Sequence, residues 1–472
     1  MIGLEDIGLA LTVTAYAAGV AVALRAAEAT DTAQGGVAWA VALVAMPWIA
    51  LPAYALFGPP KLGPLADGLA EARAAAAARH AARDDERPVA AEADTTALRA
   101  PLERLEPRPA VAAPPPRLLV DGTETFAAIF AAIDAAESYI LVQFYIVRDD
   151  EIGRALAARL AARAREGLRV LFLYDEVGAR NAPARYWADL EAAGVEVLAF
   201  GLSRRRPRVM RLNFRNHRKM VVADGRVAIL GGANVGDEYL GREPAFGPWR
   251  DTAIRLEGAA AARLEASFVE DWLWTGGAAP PPPPPPGARG ETPVLILPTG
   301  PADAAPTCSL AFLHLITAAR RRLWIASPYF APDLDTLQGL KVAALRGVDV
   351  RVLIPDRPDH RIVWLAAYAY AEEAFASGIR LHRYEAGFMH QKALVVDDGV
   401  AAVGTANLDN RSFRLNFELT ALVFDAAFAA SVAAMLERDF ARSRPHDAAF
   451  HAMRGAAVRV LAPAARLFAP LL

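Results

Sequence analysis

The sequence has little cysteine, little lysine and almost no net charge. Its single cysteine, Cys308, excludes an internal disulfide and a metal cluster built from cysteines. With 51 basic and 53 acidic residues, the formal net charge is −2, which argues against a protein that binds nucleic acid by bulk charge. Only 4 of the basic residues are lysines, and two of those recur at the same position of a repeated motif described below.

Apolar residues, by contrast, are abundant. Hydrophobic residues make up 54% of the chain and charged residues 22%, which is rich for a soluble protein and indicates membrane contact. The length of 472 residues predicts about three domain-sized units, or two with appendages, and is ample for sizeable buried cores.

Two uncharged runs near the N-terminus predict membrane-spanning helices. Residues 7–24 form a run of 18 and residues 37–57 a run of 21, and each is long enough to cross a hydrocarbon core of ~30 Å. The alternative is two buried helices of a soluble protein. A cleaved signal peptide is disfavoured because Glu5 and Asp6 precede the first run. Basic residues after the second run place the rest of the chain on the cytoplasmic side.

Composition divides the chain into five parts. We predict a membrane anchor over residues 1–60, an Ala/Pro/Arg-rich linker over 61–117, a first α/β lobe over 118–279, a proline-rich connector over 280–290, and a second lobe over 291–472 with an amphipathic C-terminal segment. We expect the linker to be mainly an unstructured tether that contains one short surface helix.

The two lobes look like copies of one α/β unit. Residues 139–175 alternate between β-branched apolar runs and a helical pattern, as βαβ units do. Residues 323–330 resemble 139–146, and residues 347–356 resemble 167–175. An internal duplication explains these matches, and we expect each lobe to bury a mostly parallel sheet between helices.

One motif occurs twice with identical gaps: His-x-Lys, four residues, Asp, six residues, Gly-x-Ala-Asn. Its polar members are His217, Lys219, Asp224 and Asn234 in the first copy and His390, Lys392, Asp397 and Asn407 in the second. An apolar run after each lysine predicts a strand, and on a strand the histidine and the lysine share a face. Two copies facing each other across a pseudo-twofold axis would converge on one pocket.

Two histidines, two lysines and two asparagines in one pocket suit phosphodiester chemistry. The lysines would neutralise phosphate oxygens and the asparagine amides would donate to them. One histidine would attack phosphorus while the other protonates the leaving oxygen, and the symmetric motif does not assign the two roles. No metal or other cofactor is expected, because no carboxylate cluster with two-metal spacing accompanies the motif. The alternative is that each His-x-Lys pair is part of the ordinary surface of a strand and has no catalytic role.

The duplicated motif resembles the hallmark of the phospholipase D superfamily, and the flanking segments resemble its bacterial cardiolipin synthase branch. Those segments are residues 216–219, 236–239, 249–251, 327–333 and 404–418. The resemblance implies two phospholipase D-like α/β/α lobes packed as a pseudo-dimer, preceded by two transmembrane helices. It also implies a multi-pass protein of the bacterial inner membrane.

The resemblance assigns roles to the motif residues. His217 would be the nucleophile, and His390 the general acid and then the base. The groups that hold the phosphate would be Lys219, Lys392, Asn234 and Asn407. Asp224 and Asp397 complete the set of catalytic candidates, although we expect them to brace the strand end. In the superfamily a carboxylate downstream of each motif orients the histidine, and spacing suggests Glu418 for His390 and Asp251 for His217.

The implied activity is phosphatidyl transfer between two phosphatidylglycerol molecules, giving cardiolipin and glycerol through a phosphatidyl-histidine. The expected partners are phosphatidylglycerol and membrane phospholipids, without nucleic acid. One alternative is the same chemistry with water, as in a membrane phospholipase D, or with another donor or acceptor lipid. Others are a nuclease of the superfamily, disfavoured by the apolar runs and near-neutral charge, and a non-catalytic scaffold, disfavoured by two intact motifs.

Two further features leave alternatives open. Five arginines within residues 204–211 either hold anionic headgroups or form a solvated loop. Residues 450–472 are apolar with three arginines, and they form either an interfacial helix or a segment packed on the lobes.

Overall fold

The computed structural model describes residues 4–30, 33–58, 63–81, 89, 93–201, 214–280 and 287–471. The chain divides into two compact units, one made of the helices before residue 65 and the other of the described chain from residue 66. The predicted basic cluster within 204–211 lies outside the described residues.

The first unit contains three helices, α1 (Leu4–Ala29), α2 (Ala33–Ala45) and α3 (Pro47–Phe57). Within α1, Asp6–Ala29 is long and apolar enough to cross a membrane, and it is the only such helix among the described residues. The prediction of a second continuous span is wrong, because the run over 37–57 is divided at Met46. Pro47 lacks an amide hydrogen, so it favours the first turn of a new helix over the interior of a long one.

The three helices pack closely. A Cβ on Gly19 of α1 would lie 2.3 Å from the carbonyl oxygen of Leu43 in α2, so only glycine permits this approach. Ala26 and Leu43 are fully buried between the helices. Trp39 and Tyr54 join α2 to α3 through an edge-to-face contact with ring centroids 5.0 Å apart.

The segment expected to be a tether is ordered over much of its length. It contains α4 (Gly63–Ala81), α5 (Ala93–Glu103) and β1 (Val111–Ala113). Arg79 donates to Glu265 at 2.8 Å, Leu102 is fully buried in the core of the second lobe, and β1 pairs with a strand of that lobe. The predicted short helix is present as α4. The prediction of a tether is wrong for α5 and β1, which dock onto the second lobe through buried apolar groups and strand pairing.

The first lobe has a seven-stranded sheet in the order β2-β10-β8-β7-β3-β4-β5. Its elements are β2 (Arg117–Val120), α6 (Asp121–Asp134), β3 (Tyr139–Phe144), α7 (Glu151–Arg165), β4 (Arg169–Asp175), α8 (Ala184–Ala192), β5 (Glu196–Phe200), β6 (Arg215–Asn216), β7 (Met220–Ala223), β8 (Val227–Gly231), a 3-10 turn (Asp237–Leu240), β9 (Trp249–Arg250), β10 (Thr252–Glu257) and α9 (Ala259–Thr275).

The second lobe has a larger sheet in the order β1-β11-β20-β18-β17-β12-β14-β15-β21, to which β6 adds beside β20. Its elements are β11 (Thr292–Thr299), α10 (Thr307–Ala318), β12 (Arg322–Ala326), β13 (Phe330–Ala331), α11 (Leu334–Leu345), β14 (Asp349–Pro355), α12 (Arg361–Ala376), β15 (Arg380–Tyr384), β16 (Phe388–Met389), β17 (Ala393–Val396), β18 (Val400–Gly404), β19 (Leu408–Asp409), α13 (Asn410–Arg414), β20 (Asn416–Val423), α14 (Ala426–Phe440), β21 (Ser443–Pro445), α15 (Ala448–Ala452), α16 (Ala456–Arg466) and a 3-10 turn (Ala469–Leu471).

The two sheets confirm the predicted duplication, because β10-β8-β7-β3-β4-β5 and β20-β18-β17-β12-β14-β15 follow the same order. The prediction of mostly parallel sheets is wrong. Along the strand order of each sheet, only β3-β4-β5 and β12-β14-β15 have parallel neighbours, because a helical crossover joins each of these strands to the next, and the other neighbours in that order are antiparallel. A three-residue turn that starts with Asp224 and Gly225, both at positive φ, joins β7 to β8 and makes them antiparallel.

The C-terminal segment packs on the second lobe. Ala462 and Ala465 of α16 are buried, and Arg466 donates to Glu373 of α12 at 2.7 Å. The large apolar side chains Leu467 and Phe468, just beyond α16, are exposed. The helix therefore buries its small face against the lobe and leaves larger apolar groups accessible.

Candidate active site

The two histidines lie at the junction of the lobes, each held by the backbone of the other lobe. β6, which precedes His217, runs parallel to the start of β20, and the His217 amide donates to the carbonyl of Phe417 at 2.9 Å. β16, which precedes His390, runs parallel to β9, and the His390 amide donates to the carbonyl of Arg250 at 2.8 Å. The structure thus brings the two motif copies together through equivalent exchanges of short strands.

Each histidine pairs with the carboxylate of the opposite lobe, so the pairing expected from spacing is wrong. Nδ1 of His217 lies 2.9 Å from Oε2 of Glu418, and Nδ1 of His390 lies 2.9 Å from Oδ2 of Asp251. The physical reason is the strand exchange, because Glu418 lies in β20 and Asp251 directly follows β9, and each of these strands runs beside the histidine segment of the other lobe. Spacing along the chain could not reveal which lobe each carboxylate faces.

Glu418 is fully buried and surrounded by donors. Its carboxylate accepts from the hydroxyls of Thr405 at 2.6 Å and Ser412 at 2.9 Å and from the amide of Asn416 at 3.0 Å. Three donors from within the second lobe hold the carboxylate in place, so the orientation of His217 follows from the packing of that lobe. Burial nevertheless raises the pKa of Glu418 to about 7.

Asp251 has a different electrostatic environment. Its carboxylate accepts from the amide of Thr252 at 2.8 Å and from the indole of Trp249 at 3.3 Å. Although burial opposes ionisation, the nearby His390 and Lys392 lower the pKa of Asp251. The His390–Asp251 pair therefore favours an ionised carboxylate, whereas the His217–Glu418 pair favours the neutral forms.

The two lysines are almost fully buried and reach back to their own motif histidine. Lys219 Nζ donates to the His217 carbonyl at 2.6 Å, and Lys392 Nζ donates to the His390 carbonyl at 2.6 Å. Burial lowers the pKa of Lys392 to about 8 and the pKa of Lys219 well below its usual value. A phosphodiester bound beside these lysines would favour their charged forms, so the pair is suited to hold an anion.

Burial and the lysine charges also act on the histidines. They lower the pKa of His217 well below its usual value, and they lower that of His390 as well, with Asp251 opposing the shift. Since Nδ1 of each ring faces a carboxylate, Nε2 is the nitrogen left for chemistry. Lys392 Nζ lies 2.9 Å from Nε2 of His390, so a cation accompanies this nitrogen.

The asparagines are engaged within the protein. Asn234 accepts from the Ile146 amide at 3.0 Å and donates to the Tyr239 hydroxyl at 2.7 Å. The side-chain oxygen of Asn407 is buried, and no hydrogen-bond partner for it occurs among the described residues. Contacts of either asparagine with a phosphate stay a prediction.

The motif aspartates lie at the far end of β7 and β17, at about seven residues of extended chain from the histidines, or ~23 Å. The Asp224 carboxylate accepts from the amides of Glu137 at 2.8 Å, Ser138 at 2.8 Å and Tyr139 at 2.9 Å. Asp397 accepts equivalently from the amides of residues 320–322. Their inclusion among the catalytic candidates is therefore wrong, and they brace the strand ends as residues with positive φ.

Several residues beside the histidines were not predicted from the sequence. The Tyr145 ring packs edge-on against His217 with centroids 5.1 Å apart, and Trp249 and Tyr239 lie 5.4 and 6.0 Å from His390. Tyr145 could have been found, because it ends the apolar run that recurs in the second lobe. Trp249 and Tyr239 belong to the first lobe whereas His390 belongs to the second, so no local pattern indicates this contact.

The arrangement brings together two histidines and two lysines, which are residue types that can serve as nucleophile, proton donor and phosphate-binding groups in phosphodiester exchange. Within the described ranges, no group of three His, Cys, Asp or Glu side chains is placed to hold a metal ion.

Comparison with known proteins agrees with this chemistry. A family model described as "Cardiolipin synthase, PLD-like domain" matches residues 129–272 and 312–440. The chain is 44% identical over 484 residues to cardiolipin synthase A of Pseudomonas putida strain GB-1, covering 96% of each chain. It is 45% identical over 449 residues to cardiolipin synthase A of Pseudomonas aeruginosa strain LESB58, covering 90% of this chain and 88% of that one.

Among solved structures, the phosphatidylserine synthase of Haemophilus influenzae Rd KW20 superposes with a TM-score of 0.62 at 15% identity, covering 80% of this chain and 100% of that one. This likeness shows a shared fold. The duplicated motif, the two matched segments and the near full-length relatives lead to one conclusion. The chain belongs to the cardiolipin synthase family of phospholipase D-like phosphatidyltransferases.

Proposed function

We propose that the protein condenses two phosphatidylglycerol molecules into cardiolipin and glycerol through a phosphatidyl-histidine on His217. The observation that carries this proposal is the junction of the lobes, where two histidine–carboxylate pairs and two buried lysines form one site. The printed names of the relatives, cardiolipin synthase A, support the same substrate class.

In the first half-reaction, Nε2 of His217 attacks the phosphorus of one phosphatidylglycerol. A phosphorus–nitrogen bond forms, the bond to the glycerol oxygen breaks, and His390 gives that oxygen the proton from its Nε2. The lysines hold the phosphate oxygens and favour the charge that builds up on them. The asymmetry of the carboxylates supports this assignment, because His217 is held neutral and His390 faces an ionised Asp251.

In the second half-reaction, a terminal glycerol hydroxyl of a second phosphatidylglycerol attacks the phosphorus. The hydroxyl proton passes to Nε2 of His390, the phosphorus–nitrogen bond breaks, and His217 returns to its starting state. One phosphodiester is exchanged for another, so the reaction is close to thermoneutral and its direction follows the lipid and glycerol concentrations.

The lipid substrates call for membrane attachment, and we assign it to the N-terminal helices. α1 crosses the membrane, and the bent pair α2–α3 forms the return segment, whose break at Pro47 is of a kind that spans tolerate. The basic residues after α3 favour a cytoplasmic location for the lobes. Cysteine labelling of positions 31 and 60 from either side of the membrane tests this topology. We expect the two positions to be labelled from opposite sides, and labelling of both from the same side would contradict the return segment.

The activity is tested with purified wild-type protein reconstituted in vesicles that contain labelled phosphatidylglycerol, with EDTA in the buffer. We expect labelled cardiolipin and free glycerol in equal amounts. Phosphatidic acid as the main product would identify a hydrolase that uses water, and a loss of activity restored by a divalent ion would overturn the metal-free mechanism. His217→Ala and His390→Ala serve as inactive controls.

A further inference from the structure

The two sides of the site differ in charge, although the lobes are copies. Arg215 stands two residues before His217, whereas Phe388 stands two residues before His390. Arg411 stands four residues after Asn407, whereas Glu238 stands four residues after Asn234. Both differences make the His217 side of the site more positive than the His390 side.

Tyr145 connects Arg215 to the proposed nucleophile. Its ring packs on His217 with centroids 5.1 Å apart, and Arg215 hydrogen-bonds to the tyrosine side chain. Arg215 is also two residues from His217 along an extended segment, so the two side chains share a face. Arg215 is buried, with 9% of its surface exposed, in a position that the lobe interface fixes.

Arg411 approaches the same place from α13. Its charge acts on His217, on Tyr145 and on Arg215, and the repulsion between the two arginines together with burial lowers the pKa of Arg411. Asp175 and Asp409 lie near enough to offset part of this charge. Arg411 is half-buried, so part of its side chain stays accessible.

The equivalent place beside His390 carries no such charge. Phe388 is fully buried in the core of the first lobe and contacts Trp249 with ring centroids 4.6 Å apart. Glu238 pairs with Arg148 through a contact of 2.5 Å. A second anion would therefore be held on the His217 side and not on the His390 side.

The proposed reaction requires a place for a second anion. The acceptor lipid attacks with a terminal glycerol hydroxyl, and its own phosphate lies beyond three carbons, about 6 Å from the attacking oxygen. Lys219 and Lys392 are already committed to the phosphate that reacts. The separation of Arg215 from His217, one tyrosine ring, is of the same scale as this glyceryl spacer.

We propose that Arg215 and Arg411 form an acceptor subsite that binds the phosphate of the second, anionic phospholipid while its glycerol hydroxyl attacks the phosphatidyl-histidine. This inference rests on the proposed function and deepens it. The arginines select an anionic lipid over water or a neutral alcohol, because only an acceptor that carries a phosphate gains the charge-assisted hydrogen bonds.

The test is a partition experiment on one intermediate. Vesicles of labelled phosphatidylglycerol receive the reconstituted protein together with 1-butanol, so that the phosphatidyl-histidine passes either to phosphatidylglycerol or to the neutral alcohol. Since both products come from the same intermediate, the ratio of cardiolipin to phosphatidylbutanol does not depend on the amount of folded enzyme. We expect Arg411→Met and Arg215→Met each to lower this ratio at least ~10-fold, and Arg411→Lys to retain part of it.

Arg414→Met is the matched control, because Arg414 lies on the same helix and pairs with Asp333 at 3.8 Å. An unchanged ratio in the Arg215 and Arg411 variants, an equal fall in the Arg414 variant, or the loss of both products together in folded Arg411→Met would overturn the acceptor subsite. A wild-type protein that makes phosphatidylbutanol but no cardiolipin would instead overturn the proposed function.

Discussion

At the scale of single residues, the two histidines differ through what lies behind them. Glu418 is held by Thr405, Ser412 and Asn416 and has a raised pKa, whereas Asp251 faces a cationic neighbourhood and has a lowered one. Equivalent positions of a duplicated unit have thus diverged into a pair suited to a neutral nucleophile and a pair suited to a proton donor.

Exchanging the carboxylates for amides tests the observed pairing. Glu418→Gln should slow formation of the His217 adduct by about 10²–10⁴-fold with any substrate, because the amide can donate to Nδ1 and favour the tautomer whose Nε2 carries the proton and cannot attack. Asp251→Asn should slow it comparably for phosphatidylglycerol but much less for a p-nitrophenyl phosphodiester, whose leaving group needs little protonation. Both rates are measured by mass spectrometry of the peptide that contains His217, as the mass added by the adduct under acid-free conditions. The reverse pattern would favour the pairing that spacing alone indicated.

The pH dependence of the free enzyme should report Lys392. Its pKa is lowered to about 8 by burial, so the ammonium charge that binds phosphate is present below this pH and is lost as the pH rises through it. We expect kcat/KM for phosphatidylglycerol to fall above pH 8, while kcat declines only at higher pH because bound phosphate stabilises the ammonium. Initial rates of cardiolipin formation between pH 6 and 10 provide the measurement. A kcat/KM that stays flat to pH 9.5 would contradict this assignment.

At the scale of elements, the hairpin that follows each lysine positions the site from a distance. The Asp224 carboxylate accepts hydrogen bonds from the backbone amides at the start of β3. Because Asp224 directly follows β7, these bonds fix the end of β7 that lies farther from His217. The motif aspartate therefore serves the strand geometry on which the catalytic side chains depend.

Removal of this brace should lower stability more than chemistry. We expect Asp224→Ala to reduce the free energy of unfolding by about 3 kcal/mol, because three backbone amides lose their shared carboxylate acceptor and alanine disfavours positive φ. Asp398→Ala is the control. Asp398 is exposed and forms surface ion pairs, so about 0–1 kcal/mol is expected. Thermal unfolding in detergent measures both. An Asp224 variant with a wild-type midpoint and no activity would restore the aspartate to the catalytic set.

At the scale of the whole molecule, the site exists only where the lobes meet. Besides the histidine pairs, the buried Arg250 of the first lobe pairs with Asp439 of the second at 2.9 Å, and Thr252 donates to Gln391 at 2.9 Å. Separation of the lobes would leave these buried groups without partners. The free-energy cost of that loss holds the two lobes in one register.

One chain should therefore contain one complete site. We expect His217→Ala and His390→Ala each to lack cardiolipin synthesis, and a mixture of the two co-expressed variants to remain inactive, because each chain still lacks one histidine. The measurement is the rate of cardiolipin formation by the mixture. It is compared with the rate of each variant alone and with that of wild-type protein diluted to the same level. Recovery to about a quarter of wild-type activity would show that lobes from different chains combine into a site.

The sequence by itself determined the repeated motif, the duplicated α/β architecture and the chemistry of the site, because these depend on residue type and short-range spacing. His217, Lys219, His390 and Lys392 could be identified without coordinates, and so could the long apolar helix. The sheet direction was predictable only in part, since the Asp224–Gly225 turn that makes β7 and β8 antiparallel is a local signal that the βαβ pattern outweighed.

Only the tertiary structure decided how these parts meet. The partner of each histidine depends on the strand exchange between β6 and β20 and between β16 and β9, which brings together residues about 140 to 200 positions apart. The division of the second apolar run at Pro47, the docking of α4 and α5, and the concentration of arginine charge beside His217 likewise arise from packing. Chain spacing is the same in both motif copies, so it holds no information about contacts that form across the pseudo-twofold axis.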